Sequence, residues 1–229
     1  MIGIIGAMKV EIDTIESLMT DKEEKTIGRV RFVKGKLNNK DVVTAVCGIG
    51  KVAAAICAQT MIMEYKPDCI INTGVGGSLS NTVSICDVVI GDNLVQHDMD
   101  TSAIGDSLGL ISGLNIVDIP ADKKVIETLM KATEGAEIGK AVFGRIASGD
   151  QFIASEEKKD FIVSTFDAIC CEMEGAAIAQ TCYSANMPFG VVRAISDCAD
   201  GSSHMNYAEF LPKAAKGASQ IIANFVNLW

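Results

Sequence analysis

Three short apolar segments of this chain run directly into carboxylates. Ile2 to Ile5 leads through Gly6-Ala7-Met8 to Glu11, Ala168 to Cys171 leads to Glu172-Met173-Glu174, and Phe189 to Ile195 leads through Ser196 to Asp197. Segments this apolar read as buried, and carboxylates beside buried elements are costly unless they do something. Open α/β sheets build their sites at the carboxyl ends of strands, so three acids at three such ends converge on one pocket if the ends are aligned. The chain is therefore read as an α/β protein whose chemistry sits where Glu11, Glu174 and Asp197 meet.

The remaining elements follow from periodicity and turn residues. A helix after Met8 carries Ile12, Ile15, Leu18 and Met19 at helical spacing, with Glu11 in its first turns. Taken alone, Glu11 reads as a helix-dipole carboxylate on the solvated side. Thr26 to Leu37 and Val42 to Val46 read as two strands joined by Asn38-Asn39-Lys40-Asp41, and Gly48-Ile49-Gly50-Lys51 opens a helix over Val52 to Tyr65 that Pro67 ends. Cys69 to Thr73 reads as a short strand running into the glycine cluster Gly74 to Gly77, with further strands at Ile85 to Ile90 and Asn93 to Gln96. Residues 101–119 read as a long loop, of a length that serves as a lid or interface. A helix over Pro120 to Thr133, a strand over Ala141 to Ala147, a strand-end loop Ser148 to Ile153 and a short helix Glu156 to Ser164 come next. The helix Gly175 to Ser184 follows Glu174. The last helix, Tyr207 to Asn227, has a core stripe of Phe210, Leu211, Ala214, Ala218, Ile221, Ile222 and Phe225. No linker or repeat interrupts residues 1–229, so one domain is expected.

Glu172 and Glu174 stand two residues apart and cannot share a helix face, so they are given different jobs. Arg193 interrupts an apolar strand, and a lone buried arginine is hard to tolerate; Glu172 is its expected partner.

Composition narrows the function. A net charge of -9 argues against a nucleic-acid partner, whose phosphates require Lys and Arg. The longest uncharged run, Cys69 to Cys86, holds glycines and polar residues and makes a poor membrane span. Ile2-Gly3-Ile4-Ile5-Gly6 is too short, and lacks the basic residues, to read as a signal sequence, and the eight cysteines form no C-x-x-C pair. A cytoplasmic protein with reduced thiols is expected. The Gly50-Lys51 turn lacks the spacing and the Ser or Thr of a phosphate loop. His97-Asp98-Met99-Asp100 has no second histidine or cysteine at ligand spacing, so no metal and no cofactor are expected.

Paired carboxylates suit cleavage of a glycosidic bond, one as acid to the leaving group and one as base to water. No Ser, Cys or His triad is evident to compete. Ile4-Ile5-Gly6-Ala7-Met8 with Glu11, Gly48-Ile49-Gly50-Lys51-Val52-Ala53-Ala54-Ala55, Ile71-Asn72-Thr73-Gly74 with Gly77, Ser148-Gly149-Asp150 with Phe152-Ile153, Glu172-Met173-Glu174 and Arg193-Ala194-Ile195-Ser196-Asp197, in this order, closely resemble the 5'-methylthioadenosine/S-adenosylhomocysteine nucleosidases.

The resemblance implies a three-layer nucleoside phosphorylase/hydrolase-like α/β fold, a central mixed sheet flanked by helices, in a homodimer. It implies Asp197 as the general acid at adenine N7, supported by Ser196, Glu11 as the base that activates water, and Glu174 on the ribose hydroxyls with Met173 against the sugar. It places Phe152 and Ile153 on adenine, and Met8, Ile49, Gly77, Tyr207 and Ile104 elsewhere in the substrate site, with Ile104 crossing the dimer to the alkylthio pocket. Val75 stands where the family commonly has serine, Tyr207 and Ile104 where it has phenylalanine, and Gly175 where it has alanine.

A phosphorylase of the same fold is the nearest rival. It needs cationic phosphate ligands, and none of the arginines, Arg29, Arg31, Arg145 and Arg193, lies in the turns beside Glu11 or Lys51. A nucleoside-binding protein without catalysis would be expected to lack one of the three acids. A dinucleotide-binding oxidoreductase would need a third glycine after Gly3 and Gly6.

Overall fold

The computed structural model describes residues 1–200, the backbone of 203–208, and residues 209–229 in full. Its strands are β1 (Ile2–Gly6), β2 (Thr20–Ile27), β3 (Val30–Leu37), β4 (Lys40–Val46), β5 (Cys69–Ser78), β6 (Val88–Gln96), β7 (Ile119–Pro120), β8 (Ala141–Ser148), β9 (Cys170–Glu172) and β10 (Phe189–Asp197). Its helices are α1 (Lys9–Leu18), α2 (Lys51–Tyr65), α3 (Lys123–Ala132), α4 (Glu156–Phe166), α5 (Gly175–Ser184) and α6 (Ser203–Leu228).

All ten strands among the described residues belong to one mixed sheet. β1 runs parallel to β4 and β5, and β10 runs parallel to β5 on the other side. The carboxyl ends of β1, β5 and β10 therefore point the same way, as the placement of Glu11 and Asp197 requires. The sheet also closes on itself: β10 pairs with β6, β6 with β8, β8 with β9, and β9 returns antiparallel to the end of β5 at Gly77 and Ser78. That closure brings Glu172 beside the ends of β5 and β10.

β1, β5 and β10 are buried along their whole length because helices cover both faces. Successive residues serve opposite layers: Ile4 packs with Ile12, Ile15, Val125, Leu129 and Ile221 from α1, α3 and α6, whereas Ile5 packs with Ala54, Cys57 and Met61 of α2 and Ile178 and Cys182 of α5. The three-layer α/β fold is thus the one expected.

Several boundaries differ from expectation, each for a local reason. Thr26 to Leu37 is not one strand, because Gly28 turns the chain at φ 62° between β2 and β3. β2 went unseen because it is polar and exposed at the sheet's edge, with no buried face to impose alternation. Ile85 to Ile90 and Asn93 to Gln96 form the single strand β6, which passes through Gly91 with a register shift. The glycine cluster lies inside β5 rather than beyond it. Pro120 belongs to β7, and α3 starts only after Asp122, whose side chain accepts the Val125 N–H at 2.9 Å. The last helix begins at Ser203, ahead of Tyr207. Leu18 is 54% exposed; the buried fourth position of α1 is Glu16, held by Arg31 and the Thr44 hydroxyl. Residues 101–118 carry a single 3-10 turn at Ser102–Ile104 and one bridge between Ile111 and Ile116, and Ile119 already belongs to β7. All eight cysteines are free thiols. No helix among the described residues is long and apolar enough to cross a membrane.

Candidate active site

The strand ends enclose a cavity of about 400 Å³. Of the residues expected to touch substrate, Met8, Glu11, Ile49, Gly77, Phe152, Ile153, Met173, Glu174, Ser196 and Asp197 all line it. Ile104 does not; it is 82% exposed on the 3-10 turn. The side chain of Tyr207 lies outside the described residues.

Glu11 is 4% exposed, so the solvated helix-dipole reading fails for it. The turn after β1 folds α1 back against the sheet, and one Glu11 oxygen, Oε2, accepts the N–H groups of Ala7 at 2.8 Å and Met8 at 2.9 Å. Its other oxygen, Oε1, accepts the Val75 N–H at 3.2 Å. The carboxylate reaches β5 only because residue 74 has no side chain: a Cβ there would lie 2.6 Å from Oε1. Burial raises the proton affinity of Glu11 above the ordinary carboxyl value, and the Arg193 charge and the three N–H groups draw it part of the way back.

Asp197 closes β10 and is 2% exposed. Its Oδ2 accepts the Ser196 hydroxyl at 3.0 Å and its Oδ1 the Ala199 N–H at 2.9 Å. These two bonds fix the plane of the carboxyl group while its edge faces the cavity.

Glu174 occupies the position just before α5, in a non-helical conformation that turns its side chain toward the start of α2. Its Oε1 accepts the Gly50 N–H at 2.8 Å. Burial first, and then the negative charge of Glu172, push its carboxyl up to about 7.

Glu172 has the different role expected of it. It forms an ion pair with Arg193, both side chains 2% exposed, and accepts the N–H groups of Glu174 at 3.1 Å and Gly175 at 2.7 Å. The Ser148 hydroxyl donates to Glu172 and accepts the Ala176 N–H at 2.7 Å. Arg193 also donates to the Asn72 side chain. The pair thereby caps the orphan N–H groups at the start of α5 and keeps Arg193 from standing as a free cation beside the cavity. Sequence reasoning missed Gln151 and Cys171 in the cavity wall. Their only signal was adjacency: Cys171 precedes Glu172 on β9, and Gln151 precedes Phe152.

Among the described residues no group of His, Cys, Asp and Glu is arranged to hold a metal ion. His97 is buried, its backbone N–H donates to the Ser148 carbonyl, and burial lowers the proton affinity of its ring. What the cavity offers is an apolar wall from Phe152, Ile153, Met8 and Met173 with four buried carboxylates set into it, of which Glu172 is engaged by Arg193 and Glu11, Glu174 and Asp197 are not. This suits an aromatic base joined to a sugar, with an acid for the leaving group and a base for water.

The model of the phosphorylase superfamily matches residues 1–227. A 5'-methylthioadenosine/S-adenosylhomocysteine nucleosidase of Staphylococcus carnosus is 42% identical over 228 residues, covering 99% of each chain. The crystal structure of the 5'-methylthioadenosine/S-adenosylhomocysteine nucleosidase of Neisseria meningitidis in complex with methylthio-immucillin-A superimposes with a TM-score of 0.94 at 36% identity, over 98% of this chain and 97% of that one. The native structure of a futalosine hydrolase of Helicobacter pylori superimposes with a TM-score of 0.93, also at 36% identity, over 99% and 97%.

Proposed function

The chain belongs to the phosphorylase superfamily and, within it, to the 5'-methylthioadenosine/S-adenosylhomocysteine nucleosidases, and from that premise we propose that Asp197, Glu11 and Glu174 divide the hydrolysis of the N-glycosidic bond among them. Asp197 protonates adenine N7 as the bond to the sugar breaks, which makes the base a better leaving group. Positive charge then develops on the sugar, as in an oxocarbenium ion. Glu11 takes a proton from water as it attacks the anomeric carbon. Glu174 accepts the ribose hydroxyls, with Met173 against the sugar. Adenine packs on Phe152 and takes backbone hydrogen bonds near Ile153, while the Ser196 hydroxyl orients Asp197.

The observation that carries this reading is Glu11. A carboxylate 4% exposed, fastened by three N–H groups and raised in proton affinity by burial, is a preorganised base of better strength than a solvated one. Hydrolysis rather than phosphorolysis is supported by the same group, which would repel an anion, and by the engagement of Arg193 with Glu172. General acid or base assistance contributes about 10² to 10⁴ in rate. Glu11→Gln and Asp197→Asn should each lose at least about 10² in kcat, and near-wild-type adenine release from either would remove that residue from the mechanism.

The proposed substrates are methylthioadenosine, S-adenosylhomocysteine and 5'-deoxyadenosine, which places the enzyme in methionine salvage and in S-adenosylmethionine recycling, in the cytoplasm. The likeness to a futalosine hydrolase adds a second reading, that 6-amino-6-deoxyfutalosine is also cleaved, since it presents the same adenine and ribose. Adenine release from all four compounds, compared by kcat/KM, ranks them. The enzyme is proposed to work as a homodimer of one-domain subunits. In support, Val52, Ile56 and Met63 expose apolar surface on α2, and Ile104 stands exposed outside its own chain's cavity. Sedimentation of the purified chain as a monomer at assay concentration would refute the dimer.

A further inference from the structure

The Gly48-Ile49-Gly50-Lys51 turn looks like a phosphate loop and His97-Asp98-Met99-Asp100 like a metal site, yet neither supplies a reacting group to the chemistry above. The fold brings them together. The 15-residue helix α2 starts at Lys51, and Gly50 before it has no side chain to cap it. Its first N–H groups are instead taken by carboxylates from distant segments: that of Gly50 by Glu174 at 2.8 Å, and that of Lys51 by Asp150 Oδ1 at 2.7 Å. The Lys51 ammonium turns to Asp98, 2.5 Å from Oδ1, and to the Gln96 side-chain oxygen at 3.0 Å. Asp98 Oδ2 in turn accepts the Asp150 N–H at 2.9 Å.

Lys51, Asp98 and Asp150 thus close a ring of three contacts. Its Lys51–Asp98 pair is no loose surface pair, the two side chains being 18% and 16% exposed, whereas Asp150 stands exposed at the rim. Burial acts to raise the Asp98 carboxyl, but the Lys51 ammonium and the Asp150 N–H hold it below its ordinary value. Gly50 is required twice over, by a φ of 98° and because a Cβ there would lie 2.9 Å from Asp150 Oδ1.

We propose that Asp98 and Asp150 are positioning residues of the nucleosidase, which with Lys51 lock the loop bearing Phe152 and Ile153 to the same helix end that holds Glu174. Adenine loop and ribose carboxylate are then registered on consecutive N–H groups of one rigid helix, so base and sugar are gripped at a fixed spacing. This rests on the assignment of Phe152 and Ile153 to adenine and of Glu174 to ribose. The lysine serves structure, with no phosphate to bind.

The test compares Asp150→Ala, Asp150→Asn, Asp98→Ala and the double alanine variant, reading KM and kcat for methylthioadenosine, the inhibition constant of free adenine, and amide hydrogen exchange. Loss of a charge-assisted hydrogen bond that orders the loop should raise KM and the adenine inhibition constant about tenfold in Asp150→Ala, with kcat changed by less than about threefold. Asp150→Asn keeps an acceptor for the Lys51 N–H and should recover most of that loss. The double variant should be no worse than the poorer single one, because opening the ring at two points breaks the same lock. Asp98→Ala should speed exchange in residues 149–153 and at the start of α2 together, a readout that needs no substrate. Adenine release by the wild-type protein tests the functional reading by itself. An adenine inhibition constant in Asp150→Ala within about twofold of wild type, additive single effects, or unchanged exchange in 149–153 would overturn the positioning role.

Discussion

Gly74→Ala tests the placement of the base without touching the base. A Cβ at 74 lies 2.6 Å from Glu11 Oε1 and 3.1 Å from its Cδ. A carbon and an oxygen in contact normally sit about 3.3 to 3.6 Å apart, so the carboxylate must retreat by roughly 0.7 Å or more. It is not a loose side-chain end that can swing aside, since the N–H groups of Ala7, Met8 and Val75 hold it at 2.8, 2.9 and 3.2 Å. Retreat breaks or stretches the Val75 bond first. Misplacing a reacting group by about 1 Å can cost on the order of 10² in rate, so kcat should fall about 10- to 100-fold, some 1.4 to 2.7 kcal/mol of transition-state stabilisation. KM, which depends on the adenine and ribose contacts, should stay within about threefold, because the lost interaction belongs to the transition state alone. Stability should change little. Residue 74 has no left-handed φ, and replacing a strand glycine gains roughly 0.5 to 1 kcal/mol in chain entropy against the weakened hydrogen bond. The assay is steady-state adenine release from methylthioadenosine, with urea denaturation as the control. A kcat within about twofold of wild type would refute the reasoning, since the position of Glu11 could not then matter to the water.

Three other perturbations follow from the same geometry. The Glu174 carboxyl, near 4.5 when the chain is unfolded, rises to about 7 in the fold; the folded state then holds a proton the unfolded chain has released, so this contribution to stability is full below about 4.5 and is lost as pH climbs to about 7. The denaturation midpoint should therefore drop across that window, and Glu174→Gln should flatten the drop. Glu172→Ala leaves Arg193, 1% exposed, as a buried unpaired charge, and should cost about 3 to 5 kcal/mol in urea denaturation, where an unchanged midpoint would show the pair to be dispensable. Phe152 is 49% exposed, so Phe152→Ala should barely move the denaturation midpoint, yet losing base stacking worth about 1 to 3 kcal/mol should raise the adenine inhibition constant about 5- to 150-fold.

Much of this was legible from the residues because burial and chain ends leave strong marks. Largely apolar runs such as Phe189 to Ile195, interrupted by the single charge of Arg193, read as strands covered on both faces, and the acids that follow them stand out against that background. The pairing of Glu172 with Arg193 followed from the cost of a lone buried charge. What stayed hidden depends on contacts between distant segments. Glu11 looks solvated because nothing in its helix announces that β5 lies across it, with a gap at Gly74 to receive it. β2 has no apolar face, and its pairing with β3 is the only thing that makes it a strand. Lys51 imitates a phosphate ligand until Asp98 and Asp150, 47 and 99 residues further on, arrive to occupy it.

Water activated by Glu11 is the nucleophile at the centre of the proposed reaction. The most direct measurement is adenine release from methylthioadenosine by the wild-type protein with and without inorganic phosphate, with the sugar product identified. The prediction is one rate in both buffers, free 5-methylthioribose as the product, and loss of at least about 10² in that rate in Glu11→Gln. A rate that depends on phosphate, with the sugar recovered as its 1-phosphate, would contradict it.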